Sequence, residues 1–152
     1  MGRIIGLDFG SKTVGVAVSD PMKVIASPME TIVRERESKM RPTYRRILEI
    51  ASQMEAETIV VGEPLNMDGS RGERARKSAA FADELMYRLK CEGMDIPVVL
   101  WDERLTTVSA DEILSEAEIP SGDRKTYIDK IAAAFILEDW MKNNRKENEE
   151  NG

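Results

Sequence analysis

The sequence predicts an α/β protein: a mixed five-stranded sheet flanked by helices. Three observations predict it. Residues 3–8 and 13–19 are short apolar runs separated by Gly10-Ser11-Lys12, the pattern of a hairpin. Residues 58–62 and 97–101 are apolar without alternation, as in strands buried on both faces. Segments with three-four apolar spacing lie between and after those runs, which implies parallel pairing through right-handed crossovers.

Each element has its own warrant. In 13–19, Val14, Val16 and Val18 share one face, and Gly15 and Ala17 share the other. Asp20-Pro21 marks a turn, and a third strand over 23–33 is interrupted at Pro28, which suggests a bulge or an edge position. A helix over 43–56 carries Tyr44, Ile47, Leu48, Ala51 and Met54 on one stripe. Another, over 73–91, carries Ala75, Ala79, Ala82, Leu85, Met86 and Leu89. A helix is expected over 107–117 and a last one over 126–141, with Ile128, Ile131, Ala132, Phe135, Ile136 and Trp140 on its apolar face. The order is β-β-β-α-β-α-β-α-α. Residues 1–141 form one expected domain, and 142–152 a polar tail that frays or is disordered. Trp101 and Trp140 are expected to serve the core.

Composition narrows the chemistry. The chain has 152 residues, 41% hydrophobic and 33% charged, which suits one domain of ordinary core size. It has no histidine, so imidazole bases, Ser-His-Asp triads and HExxH zinc sites are excluded. Its single cysteine, Cys91, excludes an intrachain disulfide and a multi-cysteine metal site. No apolar run approaches the ~18 residues of a membrane span, and the N-terminal residues lack a signal-peptide layout, so the expected compartment is the cytoplasm.

The net charge is −6, but it is uneven. Residues 34–46 hold six basic and two acidic side chains, and residues 71–77 hold four basic and one acidic. These islands on an acidic body are either solvated faces or phosphate-contacting patches. Arg71, Arg74 and Lys77 follow the Asp68-Gly69-Ser70 turn at a helix start, where backbone amides also attract anions.

Sites in open α/β sheets form at the carboxyl ends of strands. Asp8, Glu63 and Asp102-Glu103 each close a predicted strand. Asp129 lies in the last helix on a face with Ala132, Ala133 and Ile136, whose small alanines allow a close approach to the sheet. Each acid also has a plainer reading: Asp8 as a turn cap, Glu103 as a partner of Arg104 or a helix cap, Asp129 as a solvent-facing helix acid. Together they offer carboxylate oxygens from three elements to one point, and without histidine the natural occupant is Mg²⁺ or Mn²⁺. Two such ions suit phosphodiester hydrolysis.

The segments GLDFGSKTVGVAVSD (6–20), VVGEPLNMDGSRG (60–72), WDERLTTVSADEIL (101–114) and DKIAAAFILEDW (129–140) resemble the YqgF (RuvX-like) family. Its members are assigned to pre-16S rRNA cleavage and, in an earlier assignment, to Holliday junction resolution. The resemblance covers the whole chain apart from the tail. It implies a ribonuclease H-like fold and metal-dependent phosphodiester hydrolysis, with Asp8, Glu103 and Asp129 as catalytic acids and metal ligands and water as nucleophile. It also implies a phosphate contact at Lys12, where the family's Lys-Arg pair is Lys12-Thr13 here. Arg104 either holds a phosphate or pairs with Asp102. After Val60-Val61-Gly62 the family more often has an apolar or basic residue, whereas this chain has Glu63, which adds a ligand or only charge.

The implied substrate is structured RNA, in 5′-end maturation of pre-16S rRNA, or branched DNA, with the protein a monomer or homodimer and no membrane partner. A resolvase must cut two symmetric strands and so requires a dimer. An ATP-binding module of the actin/Hsp70 type shares the opening hairpin, but it closes two such domains around the nucleotide and this length supplies one. A non-catalytic RNA-binding protein with the same fold would be marked by a lost acid, and all three acids are intact.

Overall fold

A computed structural model describes residues 2–103 and 121–151 of the chain. The elements are β1 (Arg3–Phe9), β2 (Thr13–Ser19), β3 (Ala26–Val33), α1 (Arg41–Gln53), β4 (Ala56–Glu63), α2 (Glu73–Cys91), β5 (Val98–Asp102) and α3 (Ser121–Asn151). The helix expected over 107–117 lies outside the described residues, as does Arg104.

The five strands form one sheet in the order β3-β2-β1-β4-β5. The β1–β2 and β2–β3 pairs are antiparallel, and β1–β4 and β4–β5 are parallel. The expected mixed sheet is therefore present, with β1 at its centre. Pro28 sits where its missing amide does least harm: β3 is an edge strand, and its register with β2 shifts between Val16 and Ala17, opposite Glu30 and Pro28. The strand begins at Ala26 rather than 23, because Asp20 Oδ1 accepts the amides of Val24 and Ile25 at 2.8 Å and holds them in a turn.

Strand alternation splits the core into two layers. Ile5, Leu7, Val14, Val16, Ile59 and Val61 face α1 and α2, where they meet Tyr44, Ile47, Phe81 and Leu85. Ile4, Ala17 and Val60 face α3 and meet Ala133, Ile136 and Leu137. Trp101 and Trp140 pack against this second layer. On the first layer, Phe81 stacks on Phe9 at 4.3 Å and on Tyr44 at 5.6 Å between ring centroids. These stacks tie the end of β1 to both helices.

Two helix ends differ from the periodicity. α1 starts at Arg41, because Pro42 is preorganised for a first turn, and it ends at Gln53, before the left-handed Glu55 (φ 50°). The apolar stripe of the last helix ends at 141, which predicts a frayed or disordered tail over 142–152; the helix instead continues to Asn151. Local pairs explain the extension. Lys142 bridges Glu138 at 2.8 Å, and Arg145 Nη1 donates to the Lys23 carbonyl at 3.2 Å, which fastens the polar stretch to the β2–β3 connection. Among the described residues no helix is long and apolar enough to cross a membrane.

Candidate active site

Asp8 is the next-to-last residue of β1, on the face that carries Ile4 and Gly6 toward α3. Its partner across the antiparallel pair is Gly15. On the other side, one residue beyond the Leu7–Val61 pair, lies Gly62 of β4. Asp8 therefore stands between two glycines in a row across three strands.

The space that those glycines leave is filled by the other two acids. A Cβ on Gly15 would overlap the backbone carbonyl of Asp129. A Cβ on Gly62 would meet the Glu103 carboxylate and lie 2.6 Å from Ile136 Cδ1. Gly6 completes the seat: its Cβ would stand 2.8 Å from the Ala133 carbonyl and 2.8 Å from Leu137 Cβ. Backbone-on-backbone contact of this kind is open only to residues without a side chain. It sets α3 directly on the sheet and brings Asp129 to the flank of Asp8. Glu103 arrives from the opposite flank, as the residue after β5, whose Asp102 pairs with Glu63.

The electrostatics register this crowding. Asp8 is pushed up from 3.8 to about 6, first by burial and then by the charge of Asp129. Glu103 is pushed up from 4.5 to about 8, first by burial, then by the charge of Asp8 and by their shared hydrogen bond. That bond raises Glu103 and lowers Asp8, so Glu103 is the proton donor. At neutral pH the pair holds one proton between two carboxylates. Among the described residues no three acidic side chains already stand at metal-ligand spacing. The arrangement is a hydrogen-bonded acid pair with a third carboxylate beside it.

Both raised values lie above the ordinary carboxylate range, so the folded protein holds more protons than the unfolded chain between about pH 4 and pH 8. The stability these groups contribute is complete below that window and is lost as pH rises through about 6 and about 8. In EDTA, Glu103→Gln is therefore expected to melt near wild type at about pH 5 and above it at about pH 8. A difference in melting temperature that is constant with pH would contradict the coupling.

The basic residues separate into two groups. Arg74 joins the acids: its Nη2 donates to the Phe9 carbonyl at 3.1 Å, and its charge lowers both Asp8 and Glu103. Arg71 pairs with Glu63 at 2.7 Å, and Lys77 pairs with Glu37 at 2.8 Å and Glu73 at 3.3 Å. Lys12 is exposed at the hairpin tip. Glu63 is 7% exposed and adjoins the site without joining the acid pair. It alternates with Gly62 and so falls on the Val61 face, where Arg71 meets it.

One residue that sequence reasoning did not single out is Arg34. It is 4% exposed, and its Nη2 donates to the carbonyls of Gly10 and Ser11 at 2.7 and 2.5 Å. Its guanidinium lies 4.9 Å from the Phe9 ring centroid. The usable signal was strand register: Val33 pairs with Thr13, so the residue after β3 must reach the hairpin tip.

Curated relatives cover almost the whole chain. A protein of Lachnospira eligens provisionally named a pre-16S rRNA nuclease is 51% identical over 144 residues, covering 95% of this chain and 99% of its own. Similarly named proteins of Agathobacter rectalis and Listeria innocua are 47% identical over 146 residues and 46% over 139. They cover 94% and 91% of this chain, and 99% and 96% of their own lengths. Among solved structures, Thermus thermophilus RuvC in complex with a Holliday junction substrate superposes with a TM-score of 0.58 at 15% identity, over 94% of this chain and 96% of that one. The yeast mitochondrial Holliday junction resolvase gives 0.54 at 13% identity, over 99% and 85%. These neighbours bear out the expected ribonuclease H-like fold. The sequence model of the RuvX family, described as Holliday junction resolvase, matches residues 2–143, and this chain belongs to that family.

Proposed function

We propose that this protein is a metal-dependent nuclease that cleaves structured RNA in 5′-end maturation of pre-16S rRNA in the cytoplasm. One observation carries the reading: Asp8, Glu103 and Asp129 are gathered from three elements at the carboxyl edge of the sheet, in space that Gly15 and Gly62 leave open. Relatives that are 45–51% identical and bear the nuclease name supply the substrate class.

The donor set fits Mg²⁺ or Mn²⁺. It is all carboxylate oxygen, in a chain with no histidine and one exposed cysteine. Asp8 and Glu103 share a proton in the metal-free state, and releasing it gives both oxygens to a cation. Asp129 adds the third carboxylate. Divalent ions held there, two in our reading, supply Lewis acidity that makes water nucleophilic at neutral pH and offsets charge at the leaving oxygen.

The remaining work falls to the chain itself. Arg74, fixed on the Phe9 carbonyl beside the acids, holds a substrate phosphate next to them. Lys12 at the hairpin tip, with Arg71 and Lys77 along the start of α2, guides the flanking strand. The buried aromatic stack of Phe9, Phe81 and Tyr44 keeps the end of β1 rigid under the chemistry.

The family description favours a second reading, resolution of four-way DNA junctions. One experiment separates the two. End-labelled precursor rRNA and a four-way junction are incubated with Mg²⁺, Mn²⁺ or EDTA, and the mass in solution is measured alongside. Metal-dependent cutting of the RNA supports maturation. Paired symmetric cuts in the junction by a dimer support resolution. Cutting of neither substrate contradicts both.

A further inference from the structure

The basic segment that begins at residue 34 has no part in the acid cluster, yet its first residues return to the hairpin tip. Arg34 places a guanidinium beneath residues 9–11, where only Nη2 is engaged; its Nε and Nη1 are buried without a hydrogen-bond partner. Arginine keeps its charge in such surroundings, so a desolvated positive charge lies there uncompensated. Arg74 grips the same stretch from above: its Nη2 holds the Phe9 carbonyl and lies 3.9 Å from where a Cβ of Gly10 would be. One turn further along α2, Lys77 binds Glu37 at 2.8 Å. Three cations from two separate segments thus stand around one carboxylate. Glu37 is held below the usual carboxylate range, chiefly by Lys77 and then by Arg34 and Arg74.

Glu37 is a weak occupant. Its side chain is half exposed, as is that of Lys77, and ion pairs at that exposure hold little free energy. A phosphodiester carries the same charge with oxygens better matched to two guanidinium forks. We infer that Arg34, Arg74 and Lys77 form a phosphate subsite flanking the catalytic acids, and that Glu37 fills it until a backbone phosphate of the bound strand displaces it. The inference rests on the nuclease reading, because it places the subsite on the strand that leads to Asp8.

The test is metal-free binding of a fluorescein-labelled single-stranded RNA of about 12 nucleotides, followed by anisotropy at several salt concentrations. Glu37→Gln is expected to bind about three- to tenfold tighter than wild type. Its plot of log K against log salt should steepen by about 0.7, one more phosphate neutralised. Lys77→Gln should weaken binding, and the gain should vanish in the double variant. Glu35→Gln makes the same change in net charge, but Glu35 pairs with Lys39, so this variant should bind as wild type does.

An unchanged Glu37→Gln, a gain that survives Lys77→Gln, an equal gain from Glu35→Gln, or no RNA binding by any variant overturns the subsite. The two readings fail separately. A tighter Glu37→Gln with no cleavage in Mg²⁺ or Mn²⁺ keeps the subsite and removes the nuclease, whereas cleavage with no Glu37 effect does the reverse.

Discussion

Asp8→Asn is expected to abolish cleavage and to raise the melting temperature of the metal-free protein. The loss should be about 10³-fold or more, equivalent to roughly 4 kcal/mol of transition-state stabilisation. Asparagine has nearly the shape of aspartate and still accepts the proton of Glu103, but it brings no charge for a cation. The same change removes a carboxylate that burial and Asp129 destabilise in the folded state. Each kcal/mol relieved is worth about 2–4 °C in a chain of this size. Function and stability therefore move in opposite directions at one residue, as expected where charges are held together for chemistry. Thermal melts in EDTA beside cleavage assays in Mn²⁺ read both arms. A melting temperature that falls together with activity would mean that Asp8 serves the fold.

Gly15→Ala should be equally damaging to cleavage, and for a different reason. Its methyl would occupy the position of the Asp129 carbonyl, which is backbone and cannot rotate away. α3 must lift from the sheet, at a cost of about 1–3 kcal/mol or more from overpacking. Asp129 then leaves the flank of Asp8, and a displacement near 1 Å is enough to lose about 10²-fold in rate. Gly62→Ala provides the contrast. Its methyl meets two side chains, Glu103 and Ile136, which can turn aside. It should reduce cleavage with a smaller loss of stability. Urea denaturation of both variants beside their cleavage rates checks the difference, and full activity in Gly15→Ala would show that α3 need not sit this close.

The sequence made some of this visible and hid the rest for physical reasons. Alternation in 13–19 revealed both faces of β2, and the unalternating 58–62 revealed a strand covered on both sides. Pro28 announced the bulge of β3. Asp8 and Glu103 were marked by ending strands, and Asp129 by the alanines around it. The close approach of α3 is more than those alanines imply: Gly6, Gly15 and Gly62 meet it from the sheet, and periodicity gives a glycine no face of its own. Arg34 was concealed within a basic run that reads as solvated surface, and only strand register turns it inward. Glu63 looked like a fourth ligand because it ends a strand, but the two-residue period puts it on the opposite face, with Arg71. The polar end of α3 was hidden because its support is a contact across the chain, from Arg145 to Lys23.

The central claim is that Asp8, Glu103 and Asp129 act as one site. Asp129 tests it most directly, because its helix reaches the sheet only through the glycine seat. The measurement is the rate of precursor rRNA cleavage across a Mn²⁺ titration for wild type and Asp129→Asn. The account predicts a variant with wild-type circular dichroism and at least about 10³-fold slower cleavage at every Mn²⁺ concentration. An Asp129→Asn protein that cuts at the wild-type rate would remove α3 from the site and contradict the account.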